Sequence, residues 1–188
     1  MKRVSLVLFA VLLGVSVFAQ NWTMDASHSR VGFEVSHMTV SDVEGEFQHA
    51  TATITASKAD FTDAVVVFSA PVAGINTGNK MRDGHLQKED YFDAAKHPNI
   101  TFKSSSFKLV SGNKYKVIGD LTMHGITKQV ELEVTYRGTV KNQRGKDVAG
   151  FKLIGTVNRK DFGIAPGTGA AALGEVVTIR VNAEFIQE

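Results

Sequence analysis

Apolar and polar residues alternate one for one along most of this chain. Val31, Phe33 and Val35 alternate with Gly32, Glu34 and Ser36, and Val130, Leu132, Val134 and Tyr136 alternate with Gln129, Glu131, Glu133 and Thr135. A period of two sends successive side chains to opposite faces. Each such run is therefore a strand buried on one side and wetted on the other, as in antiparallel sheet. Similar runs stand near 46–56, 64–72, 100–110, 114–123, 147–158 and 175–187. Turn chemistry separates most of them: Ser111-Gly112-Asn113, His124-Gly125 and Asn142-Gln143-Arg144-Gly145 supply the backbone that a tight hairpin needs. About eight strands of roughly ten residues, joined mostly by short turns, predict an all-β fold, either a meandering barrel or a sandwich.

One segment departs from the alternation. Residues 79–95 (NKMRDGHLQKEDYFDAA) are polar, lack β-branched side chains and space Met81, Leu86 and Phe92 irregularly. They read as a short helix or helical turns, closed by His97-Pro98 because a proline drives the preceding residue out of the helical region. The segment divides the strands three and five. No Pro/Ser-rich linker and no repeat interrupts the rest, so residues 20–188 form one domain. Strands of about ten residues tilted near 40° give a barrel roughly 25 Å tall, and eight of them either fill their interior or hold one elongated ligand. Val31, Val35, Ala52, Ile54, Val66, Val117, Ile154 and Ile179 are inward candidates of moderate size. They suit an apolar tunnel and a packed core equally, since alternation assigns faces and not volumes.

The first residues carry an address. Lys2 and Arg3 precede an apolar run from Val4 to Val15, and Val17 and Ala19 stand at the −3 and −1 positions of a small-residue cleavage site. This order predicts a Sec-type secretory signal peptide over residues 1–19, cut after Ala19, and hence a periplasmic or secreted bacterial protein. The run is short for a membrane span, and without a cysteine at the cut the signal is not of the lipoprotein kind. The chain has 21 Lys+Arg and 19 Asp+Glu; removing Lys2 and Arg3 leaves 19 of each. A neutral mature chain argues against nucleic acid as a partner, since phosphate binding needs a basic surface. Zero cysteines exclude disulfides, thiolate metal sites and a thiol nucleophile.

Catalytic signatures are missing. The chain has no G-x-S-x-G, H-E-x-x-H or Walker A sequence. Gly167-Thr168-Gly169 with Gly174 faintly suggests a nucleotide loop, but a strand and not a helix follows it. Of the histidines at 28, 37, 49, 85, 97 and 124, none forms an H-x-H or H-x₃₋₄-H pair. Asp25, Ser27, His28 and Ser29 gather triad-type residues at a spacing that gives a triad no support. The richest cluster is Asn79-Lys80-Met81-Arg82-Asp83-Gly84-His85-Leu86 with Tyr91-Phe92-Asp93. Arg82 there offers a planar fork of donors to a polar or anionic headgroup, or else bonds locally with Asp83 in a helix that plugs a barrel mouth.

These residues resemble the YceI-like proteins, a family of bacterial periplasmic lipid-binding proteins of lipocalin-like shape. The likeness spans nearly all of the mature chain. It begins at Trp22-x-x-Asp25-x-x-His28-Ser29 and continues through Val31 to Met38 and Gly45-x-Phe47. Its most specific part is Asn76-Thr77-Gly78-Asn79-Lys80-Met81-Arg82-Asp83-Gly84-His85-Leu86, followed by Tyr91-Phe92-Asp93 and His97-Pro98-x-Ile100-x-Phe102. Later matches are Gly119 to Lys128 and Asn158-Arg159-Lys160-Asp161-Phe162-Gly163; Tyr91 stands where Phe is frequent. The resemblance implies an eight-stranded antiparallel, lipocalin-like β-barrel with a helix beside one mouth, enclosing an elongated apolar tunnel.

It also implies a non-catalytic carrier or reservoir for a long amphiphile such as a polyisoprenoid or isoprenoid quinone, with no cofactor or metal and with a homodimer as an expected state. Matched residue by residue, His37, Arg82, Asp83, His85 and Tyr91 are the expected headgroup contacts at the mouth. Phe33, Phe92, Phe102 and Phe162 are the expected lining of the chain. Two rival readings stand beside this one. The first is a haem- or metal-assisted redox protein using His37, His85 or His124; the second is a packed β-domain acting through protein contacts.

Overall fold

A computed structural model describes residues 19–188. The export signal read over residues 1–19 lies, apart from Ala19, outside the described residues. The strands are β1 (Gln20–Met24), β2 (Arg30–His37), β3 (Ser41–Phe47), β4 (Thr51–Ala56), β5 (Val65–Pro71) and β6 (Ile75–Asn76), then β7 (Asn99–Ser111), β8 (Lys114–Met123), β9 (Ile126–Lys141), β10 (Asp147–Asn158) and β11 (Leu173–Gln187). One helix, α1 (Lys80–Leu86), separates β6 from β7.

Eleven segments make eight strands, because three strands are each interrupted once. β1 and β2 both pair with β11, as Met24↔Phe185 and Val31↔Val181, and a 3-10 turn at Ala26–His28 joins them. β3 and β4 continue each other past residues 48–50, and β5 leads into β6 through a turn at Val72–Gly74. Every strand pairs antiparallel with its sequence neighbour, and β1 pairing with β11 closes the ring. The result is a closed eight-stranded antiparallel barrel with three strands before the helix and five after it. Closure leaves the main ring no free edge to recruit another chain.

The alternation read from the sequence decides what faces in. Ala52, Ile54 and Ala56 of β4 are buried while Thr51, Thr53 and Thr55 are exposed, and the same phase runs through Ile100 and Phe102 of β7 and Tyr115 and Val117 of β8. Ile154 breaks the expectation. It faces out opposite Arg180, while Ala149 and Phe151 are buried and Leu153 and Val157 line the interior. Two adjacent apolar residues, Leu153 and Ile154, give alternation nothing to choose between. Gly119 is fixed by close approach: a Cβ there would lie 2.4 Å from the Lys103 carbonyl and 2.5 Å from the Phe102 ring.

One end of the barrel is floored by aromatic side chains. Phe61, in the loop joining β4 to β5, is 2% exposed and sits 5.4 Å from Trp22, 5.3 Å from Tyr136 and 5.2 Å from Phe151 between ring centroids. Burial of such a ring contributes roughly 1.5–3 kcal/mol. The Asp63 carboxylate holds the loop by accepting from the Ser57 and Lys58 amides at 2.9 and 3.2 Å, and the Tyr115 hydroxyl donates to the Asp60 carbonyl at 2.7 Å.

The opposite end carries α1. The Asn79 side chain caps it by accepting from the Met81 and Arg82 amides at 3.0 and 3.1 Å, which satisfies donors that a helix start leaves unpaired. The helix is shorter than the 79–95 segment; turns carry the chain from Lys88 to Lys96, where Asp93 takes φ 47°. Among the described residues no helix is long and apolar enough to cross a membrane.

Candidate ligand cavity

Between the aromatic floor and α1 lies a cavity of about 520 Å³, within the usual range for small-molecule sites. Its shaft is hydrocarbon and aromatic: Ile54, Phe68, Phe102, Leu132, Phe151 and Ile179 are typical of its wall. The interior is therefore a tunnel, and the packed-core alternative is set aside. Of the inward candidates read from alternation, all but Ile154 line it.

Polar residues gather at the α1 end. His37 comes from the end of β2, Thr77 from the turn before α1, Arg82 and His85 from α1 itself and Tyr91 from the turns that follow. The Arg82 guanidinium donates from Nε to the Thr77 hydroxyl at 2.7 Å and from Nη2 to the Thr77 carbonyl at 2.9 Å. Its Nη1 makes no hydrogen bond among the described residues. The His85 ring lies edge-on to Tyr91 with centroids 4.9 Å apart, and His85 Nε2 is 3.6 Å from the Asp90 carboxylate.

Two expected residues lie elsewhere. Asp83 is not on the cavity wall: its Oδ1 accepts from the Thr77 amide at 2.8 Å and the Thr77 hydroxyl at 2.6 Å, so it braces the residue that holds Arg82. Phe162 is 2% exposed and buried in the hydrophobic core at the rim, also off the wall. Phe33, Phe92 and Phe102 do line the cavity, as do His37, Arg82, His85 and Tyr91.

Arg159 lines the cavity and was not among the residues singled out. It is 3% exposed and gives all five N–H donors to backbone carbonyls: Nε to Gly174, Nη1 to Ile164 and Ala165, and Nη2 to Thr168 and Leu173, at 2.6–2.9 Å. The glycine-bearing loop around Thr168 is thus wrapped round a guanidinium. Beside it Lys160 hydrogen-bonds Glu175 at 2.6 Å and holds that carboxyl below its ordinary value. The sequence signal was an arginine between the inward-facing end of β10 and a long loop, a place where its donors must find partners. Among the described residues, Arg82 and Arg159 are the charged groups on the cavity wall, two histidines stand beside them, and no carboxylate does.

The histidines of the redox reading stay apart. His37 and His85 are on the cavity wall; His124 lies outside it, with Nδ1 3.0 Å from the Phe162 carbonyl and its ring 5.7 Å from that of His97. Among the described residues none of the three joins two other ligand-type side chains closely enough to share an ion.

The family model described as the YceI-like domain matches residues 22–185. A UPF0312 protein of Staphylococcus aureus strain N315 is 36% identical over 170 residues, covering 88% of this chain and 96% of its own. Among solved structures, the Campylobacter jejuni YCEI protein superposes with a TM-score of 0.74 at 30% identity, covering 81% of this chain and 90% of its own. BcnA of Burkholderia cenocepacia superposes at 0.75 and 26% identity, covering 86% and 98%. A polyisoprenoid binding domain from Saccharophagus degradans shares the fold at a TM-score of 0.65 and 14% identity, covering 89% of this chain and 98% of its own.

Proposed function

The chain belongs to the YceI-like family, and from that membership and the cavity we propose that it binds a long amphiphilic lipid of isoprenoid type as an exported, non-catalytic carrier or reservoir. The single observation that carries this reading is a deep apolar shaft closed by aromatic rings at one end and fringed with polar groups at the other. An apolar chain enters first and its head stays at the mouth. Each buried methylene contributes about 0.8 kcal/mol, so ten contribute ~8 kcal/mol before the costs of ordering. The chain would lie against Phe33, Phe92 and Phe102. The head would meet Arg82, whose Nη1 is uncommitted, together with His37, His85 and Tyr91. Two arginines and no carboxylate favour a head rich in lone pairs, such as a quinone or phosphate, over an ammonium.

The same fold serves as a polyisoprenoid binding domain in Saccharophagus degradans, which agrees with a branched, unsaturated chain. A carrier of this kind works in an aqueous compartment beside a membrane, and the basic-apolar-small order of residues 1–19 supports export to it. A homodimer fits the reading, and sedimentation of the purified protein tests that part. The binding itself is tested by calorimetric titration with a twenty-carbon prenyl alcohol and its phosphate. Saturable binding of one chain per barrel supports the proposal, and no heat of binding with either at micromolar concentrations overturns it.

A further inference from the structure

Asp25, His28 and Glu184 lie on the outside of the barrel, where the first strand is interrupted. Asp25 and His28 stand on the 3-10 turn between β1 and β2, and Glu184 stands on β11, which pairs with both halves. One ligand atom from each side chain comes within 4.8 Å of the other two. Residues 25 and 184 are far apart in the sequence, and two backbone-anchored bonds fix them together. The Asp25 amide donates to the Glu184 carbonyl at 2.8 Å, and the Glu184 amide donates to the Ser29 hydroxyl at 3.1 Å. His28 Nδ1 is 2.9 Å from Asp25 Oδ2. Among the described residues neither carboxylate pairs with a lysine or arginine.

We propose that Asp25, His28 and Glu184 form a binding site for a divalent transition metal of the zinc class, separate from the cavity. An imidazole nitrogen with two carboxylate oxygens is a donor set that suits zinc and its neighbours, whereas magnesium and calcium take oxygen alone. Two donors on one tetrahedral zinc lie about 3.3 Å apart. The His28–Asp25 pair stands at 2.9 Å and every pair lies within 4.8 Å, so small side-chain adjustments would bring the three donors onto one ion. Two carboxylates neutralise the ion's charge, and its fourth position faces water. The ion would tie the interrupted first strand to β11 and so act on the barrel from outside, whatever the cavity holds.

The test is calorimetric titration of the untagged protein with zinc chloride and, separately, magnesium chloride. His28→Ala and Glu184→Gln are the informative variants, since both side chains are exposed and Asp25, which also caps the turn, is left in place. A His97→Ala, His124→Ala double variant is the control for the other close histidine pair. The expected result is one zinc site with a dissociation constant on the order of micromolar. It should weaken at least ~tenfold in either informative variant and persist in the control, and magnesium should not bind. A thermal midpoint rising by roughly 5 °C in excess zinc should accompany it in the parent and vanish in the variants. Absence of saturable zinc binding, unchanged affinity in both variants, loss in the control alone, or magnesium binding as tightly as zinc would each overturn the proposal.

Discussion

At Arg159 a buried guanidinium faces five carbonyls of the segment from Ile164 to Gly174. Replacing it with alanine strips those acceptors of their donors at once, and burying unpaired carbonyls is costly. Arg159→Ala should lose ~3 kcal/mol of stability or more, read by urea unfolding, and Arg159→Lys should recover only a minor part because an ammonium has three donors and no fork. Arg82 is the opposite case. It is partly exposed and held at Thr77, so Arg82→Gln should leave unfolding nearly unchanged and weaken a phosphate-headed prenyl ligand by about tenfold. The titration that compares phosphate with alcohol should show the loss in the phosphate only. Residue by residue, the motif match put Arg82, Asp83 and Phe162 alike against the ligand; Arg82 lines the cavity, whereas Asp83 and Phe162 do not. Motif spacing puts residues on an element without saying which way they turn, and Asp83 turns toward Thr77. Arg159 escaped because its role depends on carbonyls of a loop whose path no local pattern describes.

Among the elements, the loop that seats Phe61 makes a pH-dependent floor. Thr62 donates to Asp60 from its amide and hydroxyl, which lowers that carboxyl below its ordinary value of 3.8. Burial pushes the Asp63 carboxyl up, but the Ser57 and Lys58 amides outweigh it and leave it lowered too. A carboxyl lowered in the folded state stabilises the fold above its unfolded value and stops doing so as pH falls through the lowered one. The floor should therefore be indifferent to pH from neutrality to about 5 and loosen below about 4. Trp22, the chain's one tryptophan, touches Phe61 and reports this directly. Its emission should shift on acidification, and Asp63→Asn should show part of that shift already at neutral pH. The strands themselves were legible, since each run of alternation became one, and the hairpin turns at Gly112, Gly125 and Gly145 adopt the positive φ their composition implied. The three interruptions were not legible. They are made by tertiary pairing with neighbours such as β11, and the segments around them alternate no worse than elsewhere. The helix was placed correctly but ends at Leu86, because the chain after it returns over the barrel rim in turns.

Over the described residues the molecule is a closed barrel, and with no cysteine in the chain it holds its shape without a disulfide. Closure and the aromatic floor supply what cross-links would otherwise provide. Its hollow interior could not be read from the chain, because a pattern of inward valines and alanines is the same whether their tips meet or leave a shaft. Filling the shaft is a direct test of its use: Ile179→Trp, from the middle of β11, should fold with near-parental stability because space receives the ring, yet abolish prenyl-chain binding in the calorimeter. The proposed function requires that shaft to hold an isoprenoid-type chain in the protein's own surroundings. Mass spectrometry of an organic extract of the protein, purified without detergent from the cells that make it, asks this most directly. One prenyl-chain lipid per barrel, absent from an extract of the Ile179→Trp variant, is the predicted result. A parental protein that carries no lipid and gains none when offered the cell's own extracted lipids would contradict it.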